Sequence, residues 1–106
     1  MIRSATGSLL TLLAAAVRLV ASVVGGLILL YAVFVFFEAN PANPLVEFTG
    51  GVRRSLGGFT EGLFNPSDPK IAGTVNAVLA AFVWVVGGNL ASKAITRLAP
   101  RATSKA

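Results

Sequence analysis

The sequence predicts an all-α membrane protein in which two transmembrane helices form an antiparallel hairpin joined by an amphipathic interfacial helix. Three observations carry that prediction. Hydrophobic residues make up 55% of the 106 and charged residues only 12%, about half the roughly 25% charged fraction of an ordinary soluble domain. Two long apolar runs, Leu9 to Phe37 and Ile71 to Ser92, are interrupted by charge only at Arg18. Between them, Asn40 to Pro69 carries its own start and stop signals and a stripe of apolar residues at helical spacing. A soluble chain this short buries only part of its apolar surface, so residues 1–106 are read as a single membrane domain.

The first run predicts a transmembrane helix over about 9–37. Its uncharged part, 19–37, is roughly 28 Å long at about 1.5 Å per residue, close to the hydrocarbon thickness of a bilayer. Arg18 sits at the inner edge of that part, where a flexible stem lets a guanidinium reach lipid headgroups. Ala14-Ala15-Ala16 offers small residues of the kind a signal peptidase cuts. The apolar run extends far past a signal-peptide core, however, so cleavage is not expected.

The middle segment is bracketed by two near-copies of one turn module, Asn40-Pro41-Ala42-Asn43-Pro44 and Asn65-Pro66-Ser67-Asp68-Pro69. Inside the brackets Leu45, Phe48, Val52, Leu56, Phe59 and Leu63 fall within a sector about 60° wide on a helical wheel. Glu47, Arg54 and Glu61 lie on the far side, with Arg53 on a flank. The expectation is an extracytoplasmic helix, within 40–69, that lies on the membrane surface with the stripe against lipid or a partner. Five glycines, Gly50, Gly51, Gly57, Gly58 and Gly62, each cost about 1 kcal/mol relative to alanine. The segment therefore needs a surface to fold on, and either Gly-Gly pair is a place for it to break.

The second run predicts a helix over about 69–92, with Asp68 as its cap and Pro69 at its first position, where a missing N–H costs nothing. A basic tail, 93–106, follows. Lys93, Arg97 and Arg101 recur every four residues there and, with Arg18, are read as headgroup contacts. The positive charges at the two ends of the chain outnumber Arg53, Arg54 and Lys70 in the connecting segment, which also holds all four acids. The positive-inside rule then predicts both termini in the cytoplasm. Gly25, Gly26, Gly87 and Gly88 fall at similar depth, and Gly73, Ala77 and Ala81 extend the pattern. All seven are read as small residues that let helices approach closely, within the hairpin or between copies.

Neither cysteine nor histidine occurs, which removes disulfides and the usual nucleophile-base pairs. The four acids, Glu38, Glu47, Glu61 and Asp68, are too scattered for a metal site. The glycine pairs match neither a phosphate loop nor a dinucleotide fingerprint. No catalytic, cofactor-binding or metal-binding residue is therefore expected, and an enzyme is not. Net charge is +5, but the basic residues flank apolar runs, which points to a lipid bilayer and away from nucleic acid. Trp84 lies too deep for an interfacial belt and reads as a packing residue. Asn76 and Asn89 are expected to bond across helices or to meet water near the interfaces.

The order of parts resembles the YggT family of small integral membrane proteins. The resemblance runs from about residue 31 to 86 and rests on the end of one span, Asn43-Pro44-Leu45-Val46-Glu47-Phe48, an amphipathic segment containing Arg53-Arg54, and a second span. Leu56-Gly57-Gly58-Phe59 stands where that family carries a proline-rich basic stretch. The resemblance implies a non-enzymatic bacterial or plastid membrane protein tied to cell division, membrane organisation or osmotic tolerance, here expected in a bacterial plasma membrane. The expected role is an accessory, scaffold or assembly subunit that packs into a homo-oligomer or a larger membrane complex. An oligomeric pore-former, either a small channel or a holin-like protein, is the alternative, motivated by the polar residues near each end of the second span.

Overall fold

The computed structural model describes residues 2–98, with side chains from residue 6 onward. All regular structure among the described residues is helical: α1 (Ile2–Phe36), α2 (Pro44–Leu56), a 3-10 turn (Gly58–Thr60) and α3 (Pro69–Arg97). α1 starts earlier than the expected residue 9, because no proline interrupts the polar lead and weak formers such as Ser and Thr do not stop a helix. It ends in a Schellman arrangement, with the Ala39 amide donating to the Phe34 carbonyl (2.8 Å) and the Glu38 amide to the Val35 carbonyl (3.1 Å). Glu38 takes the left-handed backbone position there, at φ 56°, a place usually filled by glycine.

The two proline-flanked modules do the same job. Asn43 Oδ1 accepts from the Leu45 amide and Asp68 Oδ1 from the Lys70 amide, both at 2.9 Å, with Pro44 and Pro69 at the first helical positions. The cap expected at Asp68 has a twin at Asn43. Each module ends one segment and starts the next helix, because its side chain replaces a partner that the first turn lacks.

The middle helix expected to run past Leu63 instead stops at Leu56. The end falls at Gly57, which sits closely between the two long helices: a Cβ there would lie 3.0 Å from Ile28 Cδ1 and 3.1 Å from the Ala80 methyl, so a larger residue would have to push these neighbours back by a few tenths of an ångström. Phe59 consequently falls in the 3-10 turn and Leu63 in the loop beyond it, where Gly62 reverses the chain at φ 72°. Leu45, Phe48, Val52 and Leu56 share one helix; Phe59 and Leu63 do not belong to it.

α1 and α3 pack along their lengths, with early residues of one against late residues of the other. Arg18 bonds Ser92, Gly88 backs onto Ala21, Gly25 onto Val85 and Ala81, Gly73 onto Val35, and Lys70 pairs with Glu38. The buried core is thin: Val24, Ile28 and Ala32 against Ala77, Ala80 and Ala81, with Tyr31, Val52 and Trp84 packed on its edge. Most large apolar side chains face outward. Both long helices, taken as Thr6–Phe36 and Pro69–Arg97, are long and apolar enough to cross a bilayer.

Candidate functional site

α2 is amphipathic, and it presents its polar and small face to the rest of the chain. Thr49 is fully buried and Arg53 is 4% exposed, while Leu45, Phe48 and Leu56 on the opposite face are 42–58% exposed. Of the apolar stripe, Val52 turns partly inward onto the core. In a water-soluble domain this face choice would be reversed. The Thr49 hydroxyl donates back to the carbonyls of Leu45 (3.0 Å) and Val46 (3.1 Å), so its burial leaves no unsatisfied donor. One residue on, Gly50 lies beside the Tyr31 ring, with Tyr31 Cε1 3.0 Å from where a Cβ would sit.

The segment does not cross the end of the helix pair as a surface helix would. It runs down alongside, turns at Leu56–Thr60, and climbs back. Three contacts fix its tip: Gly57 between Ile28 and Ala80, the Trp84 indole N–H donating to the Leu56 carbonyl at 2.7 Å, and the Thr60 hydroxyl donating to the Asn76 carbonyl at 2.6 Å. The climb is held by the Asn76 amide, which accepts from the Phe64 N–H (3.0 Å) and donates to the Phe64 carbonyl (2.9 Å). This paired bonding copies one rung of a strand ladder and satisfies an irregular backbone stretch. The Gly57 carbonyl, freed at the helix end, accepts from Arg53 Nη1 and from the Thr60 hydroxyl.

Two polar contacts mark the ends of the long pair. At one, Lys70 Nζ lies 3.1 Å from Glu38 Oε2 and 5.5 Å from the centre of the Phe36 ring. At the other, Arg18 Nη1 donates to the buried Ser92 hydroxyl at 3.2 Å, beside exposed Lys93. Along α1 these are about 30 Å apart, and along α3 about 33 Å, at about 1.5 Å per residue. Ile28 is midway, so the tip of the middle segment sits near half depth. Arg97 is exposed in the last turn of α3, and Arg101, with the rest of 99–106, lies outside the described residues.

The small residues divide. Gly25, Gly73, Ala77, Ala81 and Gly88 lie in the α1–α3 contact, whereas a Cβ at Gly26 or Gly87 would meet nothing within 4 Å. Gly87 instead lines an apolar groove of about 570 Å³ with Ala16, Val20, Ala91, Trp84 and Phe59. A second cavity, about 430 Å³, opens between α1, α2, the returning loop and the start of α3. Arg53, Arg54, Tyr31, Glu61, Asn65 and Asn76 line it.

Asn76 bonds the returning loop rather than α1, and Asn89 is exposed. The inward face of α2 is not among the residues expected from the sequence, because a threonine, glycines and an arginine do not form an apolar stripe. A signal was there: Thr49, Gly50, Arg53 and Gly57 also recur at threes and fours. No group of three acids, cysteines or histidines gathers among the described residues. The chain matches no protein-family model, no curated protein and no solved structure in the comparisons made with each.

Proposed function

We propose that this chain is a small non-enzymatic integral membrane protein, an antiparallel two-span hairpin that acts as an accessory, scaffold or assembly subunit through helix packing. The inverted face choice of α2 carries the reading. An apolar stripe left outward while a threonine, an arginine and glycines turn inward suits a hydrocarbon surround, where apolar surface needs no cover and polar groups must find partners. The spacing of about 30 Å between the Glu38–Lys70 and Arg18–Ser92 contacts fits one bilayer thickness. In this reading the middle segment is re-entrant: it enters from the outer side, reaches the midplane and returns. Its irregular part touches protein rather than lipid, as backbone at that depth requires.

The bacterial plasma membrane, with both termini in the cytoplasm, is the proposed location, on the excess of positive charge at the two ends of the chain. The likeness to the YggT family points the same way. The apolar groove beside Gly87 and Ala91 supplies a small-residue surface for another helix. Packing is favoured over a pore because Asn76 and Ser92, two polar residues of the second span, are engaged within the chain.

The absence of cysteine makes the topology directly testable by single-cysteine labelling with an impermeant maleimide. Asn40→Cys should label from the outer side, Ala94→Cys only after permeabilisation, and Phe59→Cys only after detergent extraction. Labelling of Asn40→Cys and Ala94→Cys from one side would sink the hairpin. Gentle extraction should yield a particle heavier than one 10.9 kDa chain; a lone monomer would remove the assembly role.

A further inference from the structure

The polar cavity holds a charge without a partner. Arg53 is 4% exposed, yet among the described residues its guanidinium bonds only the Gly57 carbonyl, and the one ion pair there is Lys70–Glu38. A buried cation with no counter-charge is costly, and the structures that keep one supply an anion to it. Arg53 lines the cavity, and none of its nitrogens is a fully buried atom left without a partner. Arg54, the next residue, lines the same space; its Nη1 and the Tyr31 ring both flank Gly50, within 3.3 Å of where a Cβ would sit. Glu61 is the only carboxylate on the wall and comes within ion-pair distance of neither arginine. Two guanidinium groups against one carboxylate leave a net single positive charge. The cavity, about 430 Å³, falls within the range of small-ligand sites.

We propose that Arg53 and Arg54, on the wall of this cavity, form a binding site for a singly charged phosphate ester. Planar guanidinium groups suit phosphate oxygens, because each presents a rigid fork of donors. Asn65, Pro69 and Gly73 place the mouth of the cavity at the Glu38–Lys70 end of the long pair. The ester therefore comes either from a lipid headgroup, a source that rests on the membrane reading above, or from a soluble phosphate compound, a source that does not.

The test uses the full chain, delipidated in a neutral detergent and titrated with short-chain phosphatidylglycerol, short-chain phosphatidylcholine and inorganic phosphate. Binding is followed calorimetrically and by native mass spectrometry. Phosphatidylglycerol binding one to one, in preference to both others, identifies a lipid source; inorganic phosphate binding equally well identifies a soluble one. Arg54→Gln should weaken binding about tenfold, and Glu61→Gln, which raises the local charge, should tighten it several-fold. That gain cannot come from misfolding, which keeps the proposal testable even where Arg53→Gln fails to fold. Lys93→Gln, at the far end, should leave affinity unchanged. The site is overturned by no binding of any probe, by a Lys93→Gln loss equal to that of Arg54→Gln, or by an affinity indifferent to Glu61→Gln. Because the titration is done in micelles, it succeeds or fails independently of the labelling pattern and particle mass that test the membrane role.

Discussion

The long helix pair and the segment between them are built on opposite terms. α1 and α3 meet through small residues, so their contact is set by how closely two backbones can approach: Gly25 on Val85 and Ala81, Gly88 on Ala21, Ala77 and Ala80 in the thin core. The middle segment is held by hydrogen bonds from the Trp84 indole, the Thr60 hydroxyl, the Asn76 amide and Arg53 to backbone groups. Shape holds the first and polar satisfaction the second. The lesson is that an irregular stretch can sit against two apolar helices only when side chains replace the ladder it lacks.

The comparison breaks most sharply at Gly88. A Cβ there would run into the Ala21 methyl, so Gly88→Leu must part the long helices and is expected to cost about 3 kcal/mol. Gly87→Leu, one residue earlier, faces open space and should stay within about 0.5 kcal/mol. Denaturation in mixed micelles followed by far-UV circular dichroism reads both, and equal losses would refute the packing account.

The second break is at Asn76. Asn76→Leu strands the Phe64 N–H and carbonyl and should destabilise the returning loop by about 2 kcal/mol while leaving the long pair intact. Hydrogen exchange should rise over 57–68 and not in α1; a global rise would show that the two regions are one unit. Trp84 is the only tryptophan, and its fluorescence reports the tip directly, since its N–H holds Leu56.

Smaller effects sharpen the same contrast. Asn43→Ala removes the cap of α2 and should cost about 1 kcal/mol, felt in the first turn of α2, whereas Asp68→Ala should cost a similar amount felt in the first turn of α3. Glu38→Gln ends an ion pair whose carboxylate is mostly exposed, and thermal unfolding should register less than about 1 kcal/mol.

Much of the architecture was legible in the residues. Two apolar runs, broken by charge only at Arg18, meant two long helices, and Asp68-Pro69 announced the start of α3, because a cap and a proline act within one turn. The glycine pairs could be placed but not sorted: nothing in the order of residues tells Gly88, which touches Ala21, from Gly87, which touches nothing. Extending the stripe from Leu45 to Leu63 failed for a related reason. Periodicity counts apolar positions and is blind to a helix end at Gly57, which packs against Ile28 and Ala80, residues 29 and 23 positions away.

Composition and periodicity alone settled that this chain is helical, that two of its helices are long and apolar, and that a capped, amphipathic segment joins them, since each depends on neighbours within a few turns. Which face of that segment turns inward, and that Arg53 and Arg54 line one cavity, was decided only by the packing of α1 and α3. Burial of a polar side chain depends on acceptors supplied from distant parts of the chain, and those exist only once the chain has folded.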